Sequence, residues 1–338
     1  MVYFEKKGDI PLAKSLASID IGTNTFRLLI SDLNEAGTLR QRVLKREITR
    51  LGGGFTATGG LTEDSMSRGI ATLSTFSGIL REHKMEEVRA VATSVVRESP
   101  NGREFVRRVK EITGLDVEVI DGDEEALLAL KGVLSCVTAK TSDALVFDIG
   151  GGSTEYILSS LGNPVYSESL KLGVVHAAET FLHSDPTKEE EIEKVSDHVL
   201  EILKPFLNNL VQNGFKKRLP PENTDITLIG TAGTITTLAA MDQGLESYDP
   251  SRINNYVLTH DRVKRLLSDI YPLALSERRR LLSLEGGRED LIVAGTVIVL
   301  KTMEVFGFRE MMVSDGGLLE GVLIDMVQRK IEGAMEAK

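Results

Sequence analysis

Four short stretches of this chain carry residue types suited to phosphate chemistry: IDIGTNT (19–25), FDIGGGST (147–154), LIGTAGT (228–234) and VSDGGL (313–318). Each reads as an apolar strand that breaks into a Gly/Thr/Ser turn. Glycine lets the backbone approach a ligand closely and aim successive N–H groups at an anion. Threonine and serine hydroxyls add donors. The first two stretches match each other: Asp20 with Asp148, Gly22 with Gly150, Thr25 with Ser153. One such turn is weak evidence, since most are ordinary hairpins. Two opening matched halves of a chain point to phosphate binding.

The aspartates narrow the chemistry. A carboxylate beside a phosphate cradle repels its ligand unless a cation lies between them. The expected cation is Mg²⁺, or Mn²⁺ in its place, which takes few carboxylates and keeps water and phosphate oxygens. Asp148 and Glu155 are the candidate ligands, provided the turn folds the second strand back beside the first. Arg97, in VATSVVRESPNG (91–102), follows a strand in a hydroxyl-rich turn and could grip a phosphate with two N–H groups. The alternative is a surface arginine paired with Glu98. DGDEEALLAL (121–130) gathers acidic residues at a helix start; the helix dipole accounts for part of this, and the rest points to a base among them. The five histidines have no metal-ligand spacing, and neither a nucleophile elbow nor a GxxxxGK[ST] loop is present.

The elements that must position these residues repeat. In the first half SLASID, FRLLISDL and LRQRVLKREI read as strands, the last as a charged edge strand. A helix capped by Thr62 runs to about His83, with Met66, Ile70, Leu73, Phe76 and Leu80 at spacings of three and four. Strand VRAVAT, a helix after Asn101, strand DVEVI and a helix from near Gly122 follow. The second half gives DALVFD, TEYILSSL and PVYSESLKLG, a long helix from about Thr187 to Val211 with KEEE as its solvated first turn, and then ITLIG with a following helix. EMMVSD leads into a last helix over roughly 316–330. KKRLPPEN (216–223) is the clearest loop. The chain therefore reads as two copies of a mixed α/β domain.

The bulk numbers set limits. A chain of 338 residues suits two domains, and 41% hydrophobic with 27% charged residues is a globular composition. The net charge of −10 argues against broad nucleic-acid binding. No apolar run reaches the ~18 residues of a membrane span; 291–300 reads as a buried helix. Residues 1–14 lack the apolar centre of a signal peptide and read as a frayed extension. One cysteine, Cys136, excludes an internal disulfide and suggests a reducing cytoplasm; it reads as a packed thiol.

In these motifs the chain resembles the exopolyphosphatase / guanosine pentaphosphate phosphohydrolase (Ppx/GppA) family, within the superfamily of actin, sugar kinases and heat-shock chaperone ATPases. The resemblance runs from about residue 15 to 328 and rests on IDIGTNTFRLLI, KREITRLGGGF, VRAVATSVVRES, GDEEA, FDIGGGSTEY, LIGTAGTITTLAAM and MVSDGGLLEGVL, in the family's order. It implies two actin-like (ribonuclease H-like) α/β domains with a cleft between them: domain I over 1–123 plus about 324–338, domain II over 124–323. It implies Glu125 as catalytic glutamate, Asp148 as catalytic metal-binding aspartate with Glu155 assisting, and Mg²⁺ as cofactor. Phosphate contacts fall on Asp20, Gly22, Thr23, Asn24, Thr25, Arg97, Gly150, Gly151, Gly152, Ser153 and Thr154. Gly230, Thr231, Ala232, Gly233 and Thr234 form a further nucleotide or phosphate loop. The chain departs from the family pattern at Thr23 and Thr25, where serines are common, and at Asp121, where serine is common. Ending at Lys338, it resembles the short two-domain form.

The implied activity is Mg²⁺-assisted hydrolysis of the terminal phosphoanhydride of inorganic polyphosphate, with guanosine pentaphosphate (pppGpp) as the alternative substrate. More distant readings are an ATP-dependent phosphotransferase and an actin-like assembly protein. Lys216–Arg218 and Arg278–Arg280 are candidates for a cationic track, against the simpler reading of solvated surface. Family members are often dimers; the sequence locates no interface.

Overall fold

The computed structural model describes residues 14–34, 39–138, 143–223, 225–281 and 287–336. The expected N-terminal extension thus lies almost wholly outside the described residues. The chain divides into two compact units: residues up to Cys136 together with those from Gly316 onward, and Val137–Asp315.

In unit 1, β1 (Lys14–Ile21), β2 (Thr25–Leu33) and β3 (Leu39–Ile48) form an antiparallel meander. After α1 (Glu63–Glu82), strand β4 (Val88–Ala92) pairs parallel to β1; after α2 (Ser94–Glu98) and α3 (Gly102–Thr113), β5 (Val117–Val119) pairs parallel to β4. The helix α4 (Gly122–Cys136) follows, and the sheet order is β3-β2-β1-β4-β5. Charged β3 takes the edge, where its polar side chains meet solvent. Thr62 caps α1 by accepting the Ser65 N–H at 3.2 Å, and Met66, Ile70, Leu73, Phe76 and Leu80 are buried in the unit's core.

Unit 2 repeats the plan. Strands β6 (Asp143–Ile149), β7 (Thr154–Ser160) and β8 (Asn163–Leu170) form its meander. Helices α5 (Val174–Phe181) and α6 (Glu189–Gln212) precede β9 (Thr227–Thr231), which is parallel to β6. Then come α7 (Gly233–Asp242), α8 (Pro250–Ile253), β10 (Val257–Thr259), α9 (His260–Ile270), α10 (Leu275–Arg278), α11 (Ile292–Phe306) and β11 (Glu310–Val313). Read from β8, the order β8-β7-β6-β9-β11 repeats that of unit 1, with β10 added antiparallel outside β11. Both units have the arrangement of an actin-like, ribonuclease H-like domain. Phe147, Tyr156, Phe206 and Phe306 pack together in the core of unit 2, and the Tyr156 hydroxyl is 2.7 Å from that of Thr302. The apolar run at 291–300 lies in α11, buried from Ile292 to Leu300. No helix among the described residues is long and apolar enough to cross a membrane.

The last helix, α12 (Leu318–Glu336), belongs to unit 1 and packs on α4. A Cβ at Gly132 would overlap the Gly317 carbonyl, and one at Gly321 the Leu128 carbonyl. Only glycine permits this backbone approach. It keeps α4 whole within unit 1, so the units divide after Cys136 and before Gly316, whereas the expected domain limits were 123/124 and about 323/324. The sequence reading also treated 94–98 as a turn, overlooked α5 and β10, and ended the last helix early. It took Glu191 for part of a solvated turn, but that residue is buried, and its carboxylate accepts the backbone N–H groups of His183, Ser184 and Lys188, each at 2.9 Å. Those three bonds outweigh burial and hold the Glu191 carboxyl below its ordinary range.

Candidate active site

Parallel strands in each unit end at one edge of the sheet. In unit 1, β1, β4 and β5 deliver the GTNT turn, the start of α2 and the start of α4. In unit 2, β6, β9 and β11 deliver the GGGS turn, the start of α7 and residues 314–315. Open α/β sheets bind ligands at this edge.

The two turns share one closure. Gly22 donates its N–H to Thr25 O at 3.3 Å, and Gly150 donates to Ser153 O at 2.9 Å. A Cβ on either glycine would press to 3.0 Å from that same carbonyl. Each turn is held from behind. Thr49 and Arg50 donate backbone N–H groups to Asn24 O (3.0 and 2.9 Å), and Gly52 donates to Thr23 O at 2.8 Å. At the start of α5, Val174 and Val175 donate to Gly150 O and Gly151 O at 3.1 and 2.9 Å. Gly173 lies so close that a Cβ there would overlap Gly151 and Gly152. These bonds occupy carbonyls, the groups that would repel an anion.

The hairpins oppose different charges. Glu155 sits directly across from Asp148 in the β6–β7 ladder, and Arg27 directly across from Asp20 in the β1–β2 ladder. Arg27 donates through Nε and Nη2 to Asp20 Oδ2 at 2.9 and 2.6 Å, so the Asp20 charge is compensated within its own hairpin. Glu155 is buried, and its Oε1 accepts the Ser153 and Ser169 hydroxyls at 2.7 and 2.8 Å. Two carboxylates facing across one ladder suit a small hard cation that keeps waters and phosphate oxygens as its other ligands. Among the described residues no group of three or more His, Cys, Asp or Glu could hold a metal.

Arg97, on α2, pairs with Glu125 on α4: its Nη1 donates to Glu125 Oε2 and to Ile120 O, both at 2.9 Å. The expected alternative partner was Glu98. Asp121 caps α4 by accepting the Glu124 N–H at 2.8 Å, and Glu124 accepts from Arg89 Nη2 at 2.6 Å. Of the acidic run, Glu125 is the buried member. Thr23 and Ser94 hydroxyls lie 3.3 Å apart, tying the GTNT turn to the start of α2.

Several expected contacts take other roles. The Thr154 hydroxyl donates to Leu172 O and the residue is fully buried, so it fastens the strand after the turn rather than facing a ligand. At the third turn, Ala232 has φ 76° and a Cβ on Gly233 would overlap the Arg288 guanidinium. Sequence reasoning missed Arg288, which lies far from the turn along the chain. Thr231 and Thr234 are buried there, and Gly230 O accepts the Ser314 N–H at 2.9 Å. Members of both basic runs are engaged within the protein. Lys216 pairs with Glu222 and Arg218 with Asp143, both at 3.3 Å. Arg278 is buried on carbonyls and Thr187, and Arg279 pairs with Glu289.

Behind the GGGS turn, His198 of α6 lies beside His176 of α5, ring centroids 5.9 Å apart. Burial, then repulsion from His176, holds His198 below the ordinary histidine range.

The family model described as the Ppx/GppA phosphatase family matches residues 34–330. A bifunctional 3-dehydroquinate synthase/phosphatase of Fusobacterium nucleatum is 33% identical over 93% of this chain and 47% of its own length. Exopolyphosphatase 2 of Mycobacterium tuberculosis is 31% identical over 92% of this chain and 98% of its own. A guanosine-5'-triphosphate,3'-diphosphate pyrophosphatase of Vibrio parahaemolyticus is 27% identical over 95% and 61%. The chain therefore spans about half of the first relative and nearly all of the second. A crystal structure of an exopolyphosphatase from Cytophaga hutchinsonii matches with TM-score 0.84 and 30% identity, over 93% of this chain and 98% of that one. The chain belongs to the Ppx/GppA phosphatase family.

Proposed function

We propose that this chain hydrolyses the terminal phosphoanhydride of linear inorganic polyphosphate, releasing orthophosphate. The observation that carries the reading is the buried Glu125 carboxylate held by Arg97 at 2.9 Å, at the sheet edge that also bears the GTNT turn. That is a base beside an anion cradle. The names of the Mycobacterium and Vibrio relatives support phosphoanhydride hydrolysis in general.

In unit 1, backbone N–H groups of the GTNT turn and the Thr23 hydroxyl are donors for phosphate oxygens; in unit 2, backbone N–H groups of the GGGS turn are a second set of donors, with the Ser153 hydroxyl kept on Glu155. Glu125 orients the attacking water and accepts its proton. Arg97 exchanges its bond to Glu125 for one to the phosphate whose charge grows in the transition state, so the carboxylate is released as the water is activated. Asp148 and Glu155 would hold Mg²⁺. When bound, the ion supplies charge neutralisation for the phosphate oxygens. Asp20 stays paired with Arg27 and positions the GTNT turn.

Phosphate release from polyphosphates of several lengths, pppGpp and ATP, with Mg²⁺ and no acceptor, tests the reading. Faster release from polyphosphate than from the nucleotides is expected. Preference for pppGpp would assign the second substrate. Release only with an added acceptor would make the chain a phosphotransferase, and nucleotide-dependent light scattering without release would make it an assembly protein.

A further inference from the structure

Two glutamates stand side by side at the start of α4, and each is held by a different arginine. A helix turns about 100° per residue, so Glu124 and Glu125 leave it in different directions. Glu125 meets Arg97 on α2. Glu124 meets Arg89 on β4, whose Nη2 donates to Glu124 Oε1 at 2.6 Å. The Arg97 contact belongs to the proposed chemistry; the Arg89 contact lies outside it.

The Arg89 side chain is 7% exposed, and its fork reaches three further elements of unit 1. Nε donates to Glu118 Oε2 on β5 at 3.0 Å, Nη1 to Asp325 Oδ2 on α12 at 2.9 Å, and Nη2 to Glu124 on α4. Asp325 also pairs with Lys131 Nζ at 2.7 Å and with Arg329 Nε at 2.6 Å. Glu124, Leu128 and Lys131 follow at helical spacings of four and three, on one face of α4. Leu128 packs there with Val91, Ile120, Leu318 and Val322. The charged members of this face, one turn either side of Leu128, both end on the network that Arg89 and Asp325 join. Such a buried network adds little net stability over apolar side chains of the same volume. It adds direction, because a planar fork bonded to carboxylates fixes angles that apolar contacts leave loose. Gly132 and Gly321 set how closely α4 lies against α12; they do not set where its first turn points.

We infer that Arg89 is a positioning residue for the reaction: by holding Glu124 it fixes the rotation of the first turn of α4, and with it the carboxylate of Glu125. The inference rests on the assignment of Glu125 as base. Its consequence falls on turnover. In the ground state Arg97 also holds the Glu125 carboxylate. When Arg97 shifts its bond to the phosphate, the first turn keeps its Arg89 bond and its Asp121 cap. Arg89 therefore acts most strongly in the transition state, and its loss lowers kcat while KM stays.

The test is steady-state release of orthophosphate from polyphosphate by the full chain, with thermal melts beside it. Arg89→Met removes the charge and keeps an unbranched stem; it should lower kcat on the order of tenfold or more, the scale of a small displacement of a catalytic group, with KM unchanged within about twofold. Because Arg89 acts through Glu125, the same substitution in a Glu125→Gln chain should lower kcat by less than about twofold. A purely structural role would slow both chains alike. Arg89→Lys keeps the charge and lacks the fork; it should show the same dependence on Glu125 at smaller size, and it carries the test should Arg89→Met melt early. Glu191→Ala, a destabilised chain of unit 2, should leave kcat unaltered. Equal kcat for wild type and the folded Arg89 variants, or an equal loss with and without Glu125, overturns the positioning role alone. A Glu125→Gln chain as fast as wild type overturns the underlying reading as well.

Discussion

Replacing Glu125 by glutamine separates chemistry from folding. The side chains of Glu125 and Arg97 are 9% and 23% exposed, so their pair is mostly shielded yet still reached by water. Glutamine keeps an oxygen to accept the Arg97 Nη1 bond, and Arg97 keeps its 2.9 Å bond to Ile120 O. The fold then loses only the net ionic part, about 1 kcal/mol, or a few degrees in melting temperature for a chain of this size. Catalysis loses a general base. Hydrolysis of polyphosphate should slow about 10²–10⁴-fold, a barrier increase of about 3–5 kcal/mol, with KM little changed. Glu125→Ala, by contrast, leaves an Arg97 N–H without its carboxylate and should cost about 1–3 kcal/mol of stability. The assay is continuous phosphate release beside thermal melts. Turnover of Glu125→Gln within threefold of wild type, in a folded protein, would refute the assignment.

The remaining predictions concern the groups around that pair. Gly173→Ala would drive a methyl group into Gly151 and Gly152; the overlap is with backbone, so about 1–3 kcal/mol of stability should be lost, and turnover should fall by more than the melting shift explains. Chelation should abolish phosphate release and Mg²⁺ restore it, while Glu155→Gln should raise the Mg²⁺ concentration needed for half-maximal rate; an unchanged requirement would remove Glu155 from the metal site. His198 resists protonation in the folded chain, so between its folded-state pKa and the unfolded value of about 6.5 the unfolded chain binds more protons. Stability should therefore decline as pH falls through about 6.5, and His198→Gln should flatten that decline between pH 7.5 and 5.5 in thermal melts. Glu191→Ala removes the acceptor of three backbone N–H groups and should cost about 2–3 kcal/mol; a melting temperature within one degree of wild type would show that solvent replaces it.

What the sequence disclosed was local. Asp148 and Glu155 are separated by a short turn, and strand alternation alone puts them on one face once the turn closes. The cap of α1 and its apolar stripe follow from Thr62 and a 3.6-residue period. Arg97 was visible as a cation near a strand end, but its partner, Glu125, is joined to it only when β4 and β5 pair. Arg288 over Gly233 is a tertiary contact with no sequence signature. Glu191 looked solvated because its neighbours Glu189 and Glu190 are; the loop that bends back over it made the difference. The unit boundary depended on glycine contacts between α4 and α12, which lie more than half the chain apart.

The central claim is that water attacks the terminal phosphorus of the chain. Hydrolysis of polyphosphate in ¹⁸O-labelled water, with the products separated and weighed by mass spectrometry, tests it directly. The account predicts one ¹⁸O in each released orthophosphate under single-turnover conditions and none in the shortened chain. Label in the shortened chain would place the attack on the penultimate phosphorus, and the assignment of Glu125 and the turns to the terminal phosphate would be wrong.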